Sequence, residues 1–123
     1  MAKPVHILNG PNLNLLGTRE VEIYGSETLA GIEQRCRAAA ERLGIAIVFA
    51  QTNGEGELVS LVQRARREAS GVVLNAAAYT HTSLALQDAL KMLTVPLVEI
   101  HLSNVYKREP IRHKSFGRHS PRV

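Results

Sequence analysis

Three stretches of this chain hold a set of side chains suited to proton chemistry. They are Asn9 to Tyr24 (NGPNLNLLGTREVEIY), Asn75 to Ser83 (NAAAYTHTS) and Glu99 to Arg112 (EIHLSNVYKREPIR). Tyr24 and Arg19 sit in the first. A phenol titrating near 10 is a poor base at neutral pH, but a nearby guanidinium favours the phenolate. The pair reads either as an activated base on a mobile lid or as a surface tyrosine capping a loop. Glu99 and His101 are two residues apart on an expected strand and so project from one sheet face. Either the carboxylate is structural, or it orients the ring and keeps it protonated, so that His101 acts as an acid.

The same stretches supply polar groups that hold a substrate. Asn9 and Gly10 fit a turn. Asn12 and Asn14 exceed what a turn needs, and their amides suit a polar substrate or a water. Ser103, Asn104, Arg108 and Arg112 add anion-binding capacity around the Tyr/His pair. In the middle stretch, Thr82 or Ser83 caps a following helix, with His81 in the turn. Free N–H groups at that helix start also suit an anion. Asp88 lies in the helix itself, exposed or turned toward another subunit. Together these groups imply proton transfer on a hydroxylated carboxylate. The five histidines are scattered and lack ligand spacing, so no metal is expected. Neither a GxGxxG pattern nor a Walker loop is present, so no nucleotide is expected.

These stretches share a site only if the chain brings them to one edge, and the apolar pattern implies this. Each follows a short apolar run: Val5 to Leu8, Gly71 to Leu74 and Pro96 to Ile100, with a further run at Ile45 to Ala50. Between them lie three helical patterns. Ser26 to Leu43 places Leu29, Ile32, Cys36, Ala39 or Ala40, and Leu43 on one face, with Ser26 as cap and Gly44 as stop. After a loop over Gln51 to Gly56, Glu57 to Glu68 turns Leu58, Leu61, Val62 and Ala65 inward. The third helix follows Thr82 or Ser83, with Leu86, Ala89, Leu90 and Leu93 apolar. The order βαβαβαβ predicts an α/β fold: a parallel sheet with helices on both faces. Right-handed crossovers favour a flavodoxin-like strand order of 2-1-3-4. That order sets the loops after strands 1 and 3 side by side at the switch point.

Bulk properties narrow the class. One domain over residues 1–123 is expected. Tryptophan is absent and aromatics are 4%, so the core is aliphatic. No apolar run approaches the roughly 20 residues that span a bilayer, and MAKPVHILNG reads as a first strand rather than a signal peptide. The single Cys36 excludes an intramolecular disulfide, and a cytoplasmic location is the default. Of fifteen Lys and Arg, six follow Tyr106 against one acid, Glu109. That basic tail lacks the aromatic stacking partners of a nucleic-acid surface, so no nucleic-acid partner is expected.

The segments ILNGPNLNLLGTRE, EIYG, AYTHTSLAL-DAL and VEIHLSN, in this order, resemble type II 3-dehydroquinate dehydratase over about Val5 to Ser115. The resemblance implies a flavodoxin-like fold, no cofactor and a dodecamer built from trimers. It implies dehydration of 3-dehydroquinate to 3-dehydroshikimate in the shikimate pathway. It casts Tyr24 as the base that takes the proton next to the ketone and Arg19 as the lid arginine that lowers its pKa. Asn12 holds a water against the enolate oxygen. His101, backed by Glu99, protonates the departing hydroxyl, and Asn75 helps to hold that part of the substrate. Ser103 and the Leu102 backbone N–H cradle the carboxylate, His81 and Arg112 contact ring hydroxyls, and Asp88 reaches in from a neighbouring subunit. No lysine is placed as an imine-forming lysine would be, which disfavours the unrelated type I route.

The chain departs from that family's pattern at several points. Val21 stands in place of Pro in the lid, Gly54 in place of His, and Ala76-Ala77 in place of a Pro-Gly pair. After Ser115 the family continues into a fifth strand and a final helix, whereas this chain reads FGRHSPRV. The expectation is therefore a domain without those elements and with an exposed sheet edge. Two further readings stand beside the dehydratase: a dehydratase-like domain that binds an anionic ligand or partner with poor turnover, and a flavin or nucleotide binder resting on fold analogy alone.

Overall fold

The computed structural model describes residues 2–17 and 27–101. Four strands form one sheet: β1 (Val5–Asn9), β2 (Ile47–Gln51), β3 (Gly71–Asn75) and β4 (Leu97–Glu99). All pairings are parallel and the order is β2-β1-β3-β4, as the alternation of apolar runs and helical patterns predicts. Leu8 pairs with Ala50 on one side and Leu74 on the other, and Leu74 pairs with Glu99.

The helices are α1 (Leu29–Leu43), α2 (Glu55–Glu68), α3 (Tyr79–Thr82) and α4 (Leu84–Lys91), with a 3-10 turn at Leu13–Leu15. The path runs outward from β1 to β2, then back across β1 to β3. Right-handed crossovers therefore put α1 on the opposite face from α2 and α4. The core lies on the α2/α4 side. Leu8, Val72, Leu74 and Leu97 of the sheet meet Leu58, Val62 and Ala65 of α2 and Leu86, Ala89 and Leu90 of α4. Full burial of each such Leu stabilises the fold by about 1.5–3 kcal/mol.

Several expectations shift at the element ends. Helix α1 starts at Leu29, not after Ser26, which lies outside the described residues. Its cap is Thr28, whose Oγ1 accepts the Gly31 N–H at 3.1 Å. Its stop is Gly44, at φ 70°, a left-handed conformation that glycine adopts without strain. Leu43, expected on the apolar face, is 72% exposed. It sits in the last turn, past the end of the surface that α1 covers, and only Ala40 of this helix is fully buried. Helix α2 begins two residues earlier than expected, at Glu55. Its first turn is tied down by Thr52, whose hydroxyl accepts the Gly54 N–H and donates to the Glu57 carboxylate.

Strand β4 ends at Glu99, and the Ile100 N–H still donates to the Leu74 carbonyl at 2.8 Å. His101 stands two residues past Glu99, just beyond the strand, and is exposed. Among the described residues no helix is long and apolar enough to cross a membrane.

Candidate active site

The carboxyl ends of β1, β2 and β3 are stitched into one edge by backbone and amide hydrogen bonds. The Gly10 N–H donates to the Asn75 carbonyl at 2.8 Å, and the Thr52 N–H donates to the Asn9 carbonyl at 3.0 Å. The loops after β1 and β3 approach so closely at Gly10 that a Cβ there would lie 2.5 Å from the Ala76 oxygen. Gly10 is thus required for the approach itself. Asn9 is also structural: it is buried, and its Nδ2 donates to the Ala50 carbonyl at 3.0 Å.

Asn12 takes a left-handed conformation, φ 67°, which asparagine tolerates better than most residues. Its N–H donates to Asn53 Oδ1 at 2.9 Å. Gln51 completes the clamp. Its Nε2 lies 3.1 Å from the Gly10 carbonyl, 3.1 Å from Asn53 Oδ1 and 3.4 Å from Asn14 Oδ1. The Tyr79 hydroxyl donates to the Asn53 carbonyl at 2.8 Å and ties in the third loop. The Asn12 side chain makes no capping bond to the 3-10 turn that follows it and is exposed at this edge. Its amide is therefore presented to whatever binds there. Asn53 and Gln51 were not singled out from the sequence. The run QTNGEG reads as an ordinary turn, and only the register opposite Asn9 gives these amides their role.

Asn75 ends β3 and is 3% exposed. Its Oδ1 accepts the Ala77 N–H at 3.1 Å, so the donors of its amide are what it can offer a substrate. Ala77 itself has φ 53°, a conformation that favours glycine. His81 lies in α3, half-buried, a one-turn helix where a turn was expected. Ser83, not Thr82, caps α4: its Oγ accepts the Leu86 N–H at 2.9 Å. Asp88 is exposed on α4, and Glu99 is partly buried at the end of β4.

The structure thus gathers Asn12 and Asn75 at one edge of the sheet, with Glu99 and His101 at the end of the neighbouring β4. Arg19, Tyr24, Leu102, Ser103 and Arg112 lie outside the described residues. So do Asn104 and Arg108. Among the described residues no group of three or more His, Cys, Asp or Glu is placed to hold a metal ion.

Comparison with known proteins agrees with the fold. The model of the class II dehydroquinase family matches residues 3–121. The 3-dehydroquinate dehydratase of Acidovorax ebreus is 59% identical over 121 residues, covering 94% of this chain and 82% of the relative. That of Hyphomonas neptunium is 61% identical over 116 residues, covering 94% and 78%. The crystal structure of the type II dehydroquinase from Propionibacterium acnes superposes with a TM-score of 0.92 at 36% identity, covering 99% of this chain and 85% of that one. The four-strand order, the stitched edge and a match over nearly the whole sequence converge: this chain belongs to the class II dehydroquinase family.

Proposed function

We propose that this protein is a 3-dehydroquinate dehydratase. It removes water from 3-dehydroquinate to give 3-dehydroshikimate, a step of the shikimate pathway. The observation that carries this reading is the family match over residues 3–121, together with relatives of that name near 60% identity. Elimination from a β-hydroxy ketone needs a base at the α carbon, an acid at the β oxygen and stabilisation of the enolate formed between. Tyr24, with Arg19 holding it in reach of the phenolate, is the base. Asn12 holds a water against the enolate oxygen. His101, supported by Glu99, is the acid.

Around them, Asn75 holds the leaving hydroxyl. The Leu102 N–H and Ser103 take the carboxylate. His81 and Arg112 contact the ring hydroxyls, and Asp88 completes the site of a neighbouring subunit. The assembly in this reading is a dodecamer of trimers, and the location is the cytoplasm. The clamp from Gln51 and Asn53 supports the role of Asn12, because it fixes that backbone before substrate arrives.

Turnover is tested by incubating purified chain with 3-dehydroquinate and following the ultraviolet absorbance of the conjugated product. Growth of that signal, and its loss in Tyr24→Phe, is the expected result. A folded sample without signal would instead favour a domain that binds an anionic ligand without turning it over.

A further inference from the structure

Behind Glu99 the core holds a small chamber between β3, α3, α4 and β4. Its polar lining is Thr80, Ser83, Gln87 and Glu99, and Leu74 and Leu86 supply apolar wall. The chamber measures about 10 Å³, the space that the centre of one water molecule needs. Thr80 is 2% exposed, and its Oγ1 has no hydrogen-bond partner among the described residues. Glu99 reaches this chamber because it is in register with Leu74, whose side chain belongs to the same core face.

Cavities that stay dry are apolar, whereas those lined by several polar groups hold ordered water. A buried hydroxyl with no partner is the kind of group that such a water satisfies. We propose that the chamber holds one ordered water bridging Thr80 Oγ1 and the Glu99 carboxylate, which makes Thr80 a positioning residue for the Glu99–His101 acid. The inference rests on the dehydratase reading for its effect on turnover. The Thr80 hydroxyl donates to the water, and the water donates to the carboxylate. Donation to the ionised form keeps Glu99 charged. A charged Glu99 in turn keeps His101 protonated. Gln87 lines the same chamber and supplies a further polar contact for the water.

The test is the pH profile of turnover in Thr80→Val, which keeps the shape of the side chain and removes the hydroxyl. Without the bridge Glu99 ionises less readily, while the acidic limb, set by the Tyr24 base, stays in place. The weaker hold of Glu99 on His101 moves the basic limb down, and the bell narrows. We expect kcat at the optimum to fall roughly three- to tenfold with KM little changed, a part of what a general acid supplies. Thr80→Ser, which restores the hydroxyl, is expected to restore the wild-type profile. A Thr80→Val profile of unchanged width would overturn the proposal. A crystal structure of the wild-type protein decides the matter without any variant. A water within hydrogen-bond distance of both Thr80 Oγ1 and Glu99 supports it, and a dry chamber defeats it. Absence of turnover in the wild type would remove the dehydratase reading, while the crystallographic water would still decide the chamber.

Discussion

At the scale of single residues, the proposed base offers the sharpest expectation. Tyr24→Phe removes one hydroxyl and little packing. Its kcat should fall by at least about 10²-fold, the usual contribution of a positioned base, with substrate affinity largely retained. Near-normal rates in stopped-flow or steady-state assays would show that another group takes the proton. Ala77 offers a second. It holds φ 53° where the family it resembles carries glycine, and a left-handed conformation costs an alanine about 1–2 kcal/mol. The greater unfolded-chain entropy of glycine offsets part of that relief, so Ala77→Gly should stabilise the fold by about 0.5–1 kcal/mol in a urea titration. A destabilised variant would mean that the neighbouring bond from Ala77 N–H to Asn75 already accommodates the strain.

Residue types at this scale were legible in the sequence, and their partners were not. Asn12 reads as a polar group in excess of a turn, yet its bond to Asn53 depends on a loop 41 positions away. Asn9 and Gly10, which fit a turn on paper, are fastened to Ala50 and Asn75. Nothing in a linear string marks which amide will lie opposite which carbonyl.

Elements were read with more success in their middles than at their ends. Leu58, Val62 and Ala65 fall inward on α2 as their spacing predicts, because about four turns of helix give periodicity enough to fix a face. Leu58 is fully buried, and Leu58→Ala should cost about 2–5 kcal/mol, measured as a shift of the unfolding midpoint. Ends are set by capping competition. Thr28 caps α1, and Leu43 emerges into solvent. Helix α3 is a single turn, too short for any apolar period to mark it in the sequence.

Strand β1 carries a pH-dependent weakness that belongs to this scale. His6 faces the core side of the sheet, is 3% exposed, and has no partner for Nε2 among the described residues. Burial holds its pKa below the ordinary value; the Glu68 carboxylate opposes this and the Arg64 guanidinium adds to it. The unfolded chain therefore takes up a proton near pH 6.5 that the folded chain refuses until lower pH. Stability from this residue is present above that pH and declines as pH falls through it. Melting temperature measured across this range should drop on the acid side, and His6→Leu should flatten that part of the curve.

At the scale of the whole molecule, the strand order was legible because each crossover contains a distinct amphipathic helix, and handedness left few ways to wind three of them. Assembly is a different matter, since it depends on surfaces that one chain cannot interpret alone. Asp88 lies exposed on α4. If it completes a neighbour's site, Asp88→Ala and Tyr24→Phe proteins, each inactive, should regain some turnover when unfolded together and refolded as a mixture. Mixed oligomers would then contain sites with both groups intact. No recovery in the mixture would argue that each subunit works with its own residues.

The central place of β1 has a consequence for how the protein is made. This strand pairs with β2 on one side and β3 on the other, and both are synthesised after it. A ribosome delivers Val5–Asn9 first, and the strand has no lateral partner until Gln51 has emerged and only one until Asn75 has. During that interval an apolar segment with unpaired amides waits beside the growing chain, a natural target for a chaperone. Strand β4 closes the sheet last, and the first strand spends the longest time alone.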